Sequence, residues 1–139
     1  MAEKTPFPIL SLVIYQDSEF LLIRRRHAPG NVLTIPDGSI HYGETVKQAV
    51  KRELKEQFDM DVAEQRFLSL EEHIVREKRD TLDHVFFLYY LVKVKHKGFM
   101  IDNPTILEAQ WVHFDKIGGV NMPSSVESLL KLTKEKLEL

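Results

Sequence analysis

Apolar and polar positions fall into two periods along this chain. Pro8 to Tyr15 and Phe20 to Arg24 are nearly unbroken runs of apolar, β-branched and aromatic residues. They predict two strands, joined by a polar turn at Gln16-Asp17-Ser18-Glu19. Ala28-Pro29-Gly30-Asn31 breaks the chain, and Val32 to Ile35 predicts a short third strand ending at Pro36-Asp37-Gly38. At Gly38 the backbone is free either to take a positive φ or to let another group come close. The period then changes. Val46, Val50, Leu54 and Phe58 recur at helical spacing, and Thr45 with Gln48 has the form of a capping box, so a helix is predicted over about 46–58.

Beyond that helix, Arg66 to Val75 and His84 to Val94 read as two long strands of a hairpin around the charged tip Arg76-Glu77-Lys78-Arg79-Asp80. Lys95 to Leu107 reads as a loop and Ala109 to Phe114 as a last strand. Ser124 and Glu127 repeat the capping-box form ahead of a closing helix that carries Val126, Leu129, Leu130 and Leu137. No internal repeat, linker or low-complexity tract divides the 139 residues, which predicts one domain over 1–139.

Composition narrows the function. With 19 basic and 21 acidic residues the formal charge is -2, which offers no general attraction to duplex nucleic acid and favours a small ligand held locally. The absence of cysteine excludes disulfides, thiolate metal sites and a Cys nucleophile. No apolar run reaches the roughly 18 residues of a membrane span, and the first residues do not resemble an export signal, so a soluble cytoplasmic protein is expected. A homodimer is compatible with the sequence, which does not set the oligomeric state.

The helix concentrates acids. Glu53, Glu56 and Gln57 share a sector roughly 100° wide beside the apolar stripe, so the stripe can bury while these groups face a cleft. Together with Gly38, Glu44, Arg52, Leu54 and Met60, they form a stretch that resembles the Nudix box, G-x5-E-x7-R-E-U-x-E-E-x-G-U with U aliphatic. Seven of its nine fixed positions match. The departures are Gln57, where the family has a third clustered Glu, and Asp59, where it has the Gly that ends the helix. Leu21 to Arg25 and Glu108 to Trp111 are similar to the family's strand before the box and its late strand.

The resemblance implies an α/β fold, an α/β/α sandwich with a central mixed sheet, the box helix at about 46–58 and a C-terminal helix. It also implies hydrolysis of a diphosphate linkage with Mg²⁺ or Mn²⁺, hard ions that take oxygen ligands and offset charge around phosphorus. Glu53 and Glu56 would be ligands, Glu53 also a candidate to activate water, and Glu44 a supporting acid. Arg52, four residues before Glu56, would pair with it or orient the cluster, a solvated helix charge being the alternative, and backbone carbonyls around Asp37-Gly38 would complete the site. Gln57 keeps an amide oxygen for the metal but brings no charge. Asp37 and Asp59 either supply acids in its place or simply mark drift, and Asp59 can also end the helix in the left-handed conformation. Asp102 and Glu108 are further acids that sequence does not place.

Arg25 matches a position close to substrate phosphate in the family, and a guanidinium suits bidentate phosphate binding; a solvated side chain is the alternative. His41 lies in the loop before Glu44, where a plain surface role competes with reach into the cleft. The six histidines carry no H-E-x-x-H pattern, so zinc is not expected. Leu33 replaces a Trp common among relatives, and Trp111, Phe86, Phe87, Tyr89 and Tyr90 read most simply as core or sheet-face residues, with stacking of one or two on a base the alternative that sequence does not assign. The leading expectation is a hydrolase of nucleoside diphosphate derivatives, with activity reduced by Gln57 and Asp59. A nucleotide-binding sensor or partner-binding domain on the same fold is the rival. An isoprenoid-type isomerase would normally need a catalytic Cys, which is missing.

Overall fold

A computed structural model describes residues 5–76 and 82–138. The predicted tip at Glu77 to Asp80 lies outside them. Six strands form one mixed sheet: β1 (Phe7–Gln16), β2 (Glu19–Arg25), β3 (Asp37–Gly38), β4 (Val62–Arg76), β5 (Leu82–Val94) and β6 (Ile106–His113). Their order is β4-β5-β1-β2-β6, and β3, off this path, pairs β1 at Leu10 and Ser11. β1 runs parallel to β5, and every other pairing is antiparallel. Helix α1 (Val46–Phe58) and helix α2 (Ser124–Leu137) complete the fold.

The near-continuous apolar run of β1 follows from its central place, since both faces of the sheet are covered there. Leu10, Leu12 and Ile14 join Leu21, Ile23 and Val92 under Val50, Leu54 and Phe58 of α1. Val13, Phe20, Leu22 and Leu91 pack on the other face with Val126 and Leu130 of α2. The result is the α/β/α sandwich with a central mixed sheet that the sequence predicts.

Several boundaries move. Val32 to Ile35 is not a strand; Thr34 makes only an isolated bridge to Ile23, because Pro36 follows and Leu33 bonds instead to the Asn121 carbonyl. β4 begins at Val62, four residues before the predicted Arg66, and β6 begins at Ile106. The capping box predicted for α2 does not form: Pro123 occupies the cap position and Ser124 is already helical. A 3₁₀ turn at Phe114–Gly119, which the sequence pattern does not signal, leads into α2 and places Phe114 with its ring centroid 4.4 Å from that of Phe20.

Candidate functional site

The turn at Asp37-Gly38 and the inner face of α1 meet at one point. Thr45 accepts a hydrogen bond from the Gln48 N–H at 3.1 Å while the Gln48 side chain accepts from the Thr45 N–H at 2.9 Å, so α1 starts where the capping box predicts. Glu53 and Gln57 are buried, facing β3, whereas the Glu56 side chain is 60% exposed. Gly38 is required by close approach and not by a positive φ: a Cβ there would lie 2.6 Å from Glu53 Cγ and nearer still to its carboxylate.

Arg52 organises the acids. Its Nε and Nη2 donate to the two oxygens of Glu44 at 2.8 and 3.0 Å, the forked geometry in which a guanidinium binds carboxylate most strongly. Nη1 donates to Glu53 Oε1 at 2.6 Å and Glu56 Oε2 at 3.1 Å, and Nη2 reaches the Ser39 carbonyl at 2.7 Å. The Arg52 side chain is only 18% exposed, so it is a structural centre and not a solvated helix charge. Hydrogen bonds from Arg52, and then from the His41 N–H, hold the Glu44 carboxyl down at about 2. The same pairing raises Arg52. His41 takes part through its backbone, at 2.9 Å from Glu44 Oε1, while the residue itself is exposed.

Gln57 closes the other side. Its Nε2 donates to the Asp37 carbonyl at 2.9 Å and to Glu53 Oε2 at 3.2 Å, and its Oε1 accepts from Asn103 Nδ2 at 2.9 Å. Glu53 Oε2 also accepts from the Ser39 N–H at 3.2 Å. The Asp37 carboxylate turns away to pair with Arg25 at 3.0 Å, and Arg25 donates to Thr105 Oγ1 at 3.2 Å. Arg25 is therefore paired at the rim of the site.

The remaining acids do not join the cluster. Asp59 takes the left-handed conformation at φ 53°, its N–H bonds the Leu54 and Lys55 carbonyls, and its carboxylate pairs with Lys55 at 3.1 Å. That is the helix-ending role. Glu108 pairs with Arg24 at 3.0 Å, and Asp102 meets α1 through its N–H, which donates to the Gln57 carbonyl at 2.8 Å. Asn103, Ser39 and Thr105 are in the network, yet in sequence they carry only loop signals.

Mg²⁺ and Mn²⁺ need converging oxygens. Glu53 Oε2 and the Asp37 carbonyl both accept from one nitrogen, so the two oxygens converge on a point that attracts positive charge. With the exposed Glu56 carboxylate one helical turn away, this donor set fits a hard divalent ion in chemistry, although an amide nitrogen now stands at the point of convergence. Among the described residues, no three acidic or His side chains are already gathered as a metal cage.

A cavity of about 210 Å³ opens beside this turn on the α2 face, lined by Asp37, Ser11, Thr34, His73, Phe87 and Tyr89 among others. The His73 and Phe87 rings meet edge to face at 5.0 Å, and Tyr89 donates to Glu71 at 3.2 Å. Burial, with the nearby Glu71 carboxylate, pushes the Tyr89 phenol up to about 12.

An acid-bearing helix lies against a glycine turn, on a mixed sheet between helices. The chain belongs to the Nudix family: the NUDIX domain matches residues 6–134. Among curated proteins it is similar to the NAD-capped RNA hydrolase NudC of Photorhabdus laumondii, 24% identical over 110 residues, 79% of this chain and 40% of that protein. NudC of Shigella dysenteriae is likewise 24% identical, over 86% of this chain and 44% of its own length. The chain thus spans less than half the length of these relatives. Its fold resembles the MutT NUDIX hydrolase of Burkholderia pseudomallei, with a TM-score of 0.71 and 21% identity over 92% of this chain and 98% of that one. It also resembles the NUDIX domain of Shewanella oneidensis NrtR, solved with ADP-ribose, with a TM-score of 0.75 and 18% identity over 97% and 90% of the two chains. Among the described residues, no helix is long and apolar enough to cross a membrane.

Proposed function

We propose that this chain hydrolyses a diphosphate linkage in a nucleoside diphosphate derivative, using Mg²⁺ or Mn²⁺, at a rate limited by Gln57. The observation that carries this reading is the Glu44-Arg52-Glu53-Glu56 network held against the Gly38 turn, beside a cavity with aromatic walls. Glu53, Glu56 and the Asp37 carbonyl would hold the ion. When bound, a divalent ion neutralises phosphate oxygens and makes water a better nucleophile near neutral pH.

The chain's own residues do the rest. Arg52 fixes the Glu53 carboxylate, so that group is oriented before substrate arrives. Both Glu53 oxygens already accept hydrogen bonds, whereas Glu56 engages through Oε2 in an exposed side chain. Glu56 is therefore the better placed of the two to accept a proton from water, a shift from the role that the family resemblance suggests for Glu53. Arg25 can exchange Asp37 for a substrate phosphate at the rim, and the base can enter the cavity against Phe87.

A sensor that binds such a nucleotide without cleaving it is the second reading, favoured by the Gln57 amide standing among the acids. The discriminating experiment offers ADP-ribose, dinucleoside polyphosphates, nucleotide sugars and NAD-capped RNA with Mg²⁺ or Mn²⁺ and scores release of phosphorylated products. Cleavage that is lost in Glu56→Gln supports the hydrolase. Binding of a nucleotide with no cleavage across the panel supports the sensor.

A further inference from the structure

Amide side chains have a donor end and an acceptor end, and the way each faces is set by its neighbours. The Thr105 N–H can only donate, and it donates to Asn103 Oδ1 at 2.9 Å; the Thr105 hydroxyl donates to the same oxygen at 2.8 Å. Asn103 must therefore present its NH₂ to Gln57, where it meets Oε1 at 2.9 Å. Gln57 is left with its own NH₂ facing Glu53 Oε2 and the Asp37 carbonyl, both of them pure acceptors. Every donor in the relay meets an acceptor, and reversing either amide would set oxygen against oxygen at one end and N–H against N–H at the other.

The relay is anchored at its base. The Asp102 N–H bonds the Gln57 carbonyl at 2.8 Å, the Met100 N–H bonds the Phe58 carbonyl at 2.9 Å and the Arg26 N–H bonds the Thr105 carbonyl at 2.8 Å. The loop that carries Asn103 is thus tied both to the end of α1 and to the chain just after β2. Gln57 is itself buried, so no open water competes for its amide.

We infer that Asn103 is a positioning residue that latches the Gln57 amide with its NH₂ inward, so that an internal donor holds the place between Glu53 and the Asp37 carbonyl that a divalent cation would take. A cation can enter this place only if the amide turns its oxygen inward, which costs the bond from Asn103. The inference deepens the proposed function by taking the box as a cation site, but it does not depend on turnover.

Asn103→Asp tests it. The new carboxylate keeps an acceptor for the Thr105 N–H and presents a second acceptor to Gln57, which draws the Gln57 NH₂ outward and turns Oε1 toward Glu53 and the Asp37 carbonyl. Three oxygens then converge, and a cation relieves their repulsion. Mn²⁺ binding, read by electron paramagnetic resonance, should tighten about tenfold or more over wild type, the size of effect that neighbours of metal ligands exert. The melting temperature of the variant should rise with added Mg²⁺ more than that of wild type. At one and the same Mg²⁺ concentration, the Gln57 side-chain amide resonance should shift further in Asn103→Asp than in wild type.

A nearby negative charge alone also attracts cations, so the same substitution is made in a Gln57→Met background, where no amide is available to turn. There the gain should shrink to the small part that the added charge alone supplies. An equal gain in both backgrounds would leave only a charge effect and overturn the latch, as would no gain in Asn103→Asp itself. If the latch is upheld while wild type cleaves nothing on the substrate panel, the hydrolase reading fails and this inference stands.

Discussion

Gly38 and Glu53 are coupled by contact, with no room for a Cβ between them. Gly38→Ala should push the Glu53 carboxylate off Arg52 and the Ser39 N–H. The expected result is a loss of Mn²⁺ affinity of at least tenfold, within the range of disturbed metal-ligand surroundings, and circular dichroism should show the fold retained. Unchanged affinity would mean that Glu53 is not a ligand. Glu44 makes a pH prediction. Its carboxyl falls from 4.5 to about 2 on folding, so its pairing with Arg52 contributes fully above about 4.5 and is lost as pH falls toward 2. Thermal melts of wild type and Glu44→Gln should differ most above pH 5 and converge by about pH 2. A difference that grows on acidification would contradict the pairing. Gln57→Glu supplies the family's third carboxylate and removes the inward donor, so Mn²⁺ should bind about tenfold more tightly. Weaker binding would show that another acid already fills that role.

At the scale of the element, α1 positions the chemistry because its two faces do different work. Val50, Leu54 and Phe58 are fully buried under the sheet, while Glu53 and Gln57 are carried inward beside them. Leu54→Ala should destabilise the protein by about 2 to 5 kcal/mol, the range for a buried Leu that leaves a cavity. A denaturant midpoint that barely shifts would mean that this face is not core. The end of α1 separates two readings of Asp59. As a left-handed cap paired with Lys55, it should be replaceable by Gly, which adopts that conformation without strain, so Asp59→Gly should change stability by less than about 1 kcal/mol and leave Mn²⁺ binding unaltered. Loss of metal binding would restore Asp59 as a ligand.

At the scale of the whole molecule, the candidate site exists because segments far apart in sequence converge on the mixed sheet. Asp37 faces the acid network through its carbonyl and the cavity through its position at the β1-β3 pairing, so one turn links the acids to the cavity. Phe87, on β5, lies on the cavity wall and not at the acids. If the substrate panel yields a cleaved compound, Phe87→Ala should raise its KM by about tenfold with kcat nearly unchanged, as expected when a contact is lost equally from ground and transition states. A fall in kcat at constant KM would place the base elsewhere.

The sequence by itself determined α1, its capping box and its acid face, because these depend on residues within a few positions of one another and on a single helical period. It also determined the buried strands β1 and β2 and the family, since the box is a local pattern. Tertiary structure decided what local pattern cannot reach. Whether Val32 to Ile35 became a strand depended on partners: only Thr34 found a bridge, and Leu33 bonded across to Asn121. The choice between Asp59 as cap and as ligand was made by the direction of its carboxylate, toward Lys55. Arg25 found Asp37 and Thr105 across the fold, and Asn103 found Gln57, 46 positions away in the chain. A hydrogen bond depends on distance and direction in space, and neither is written in the spacing of residues along the chain.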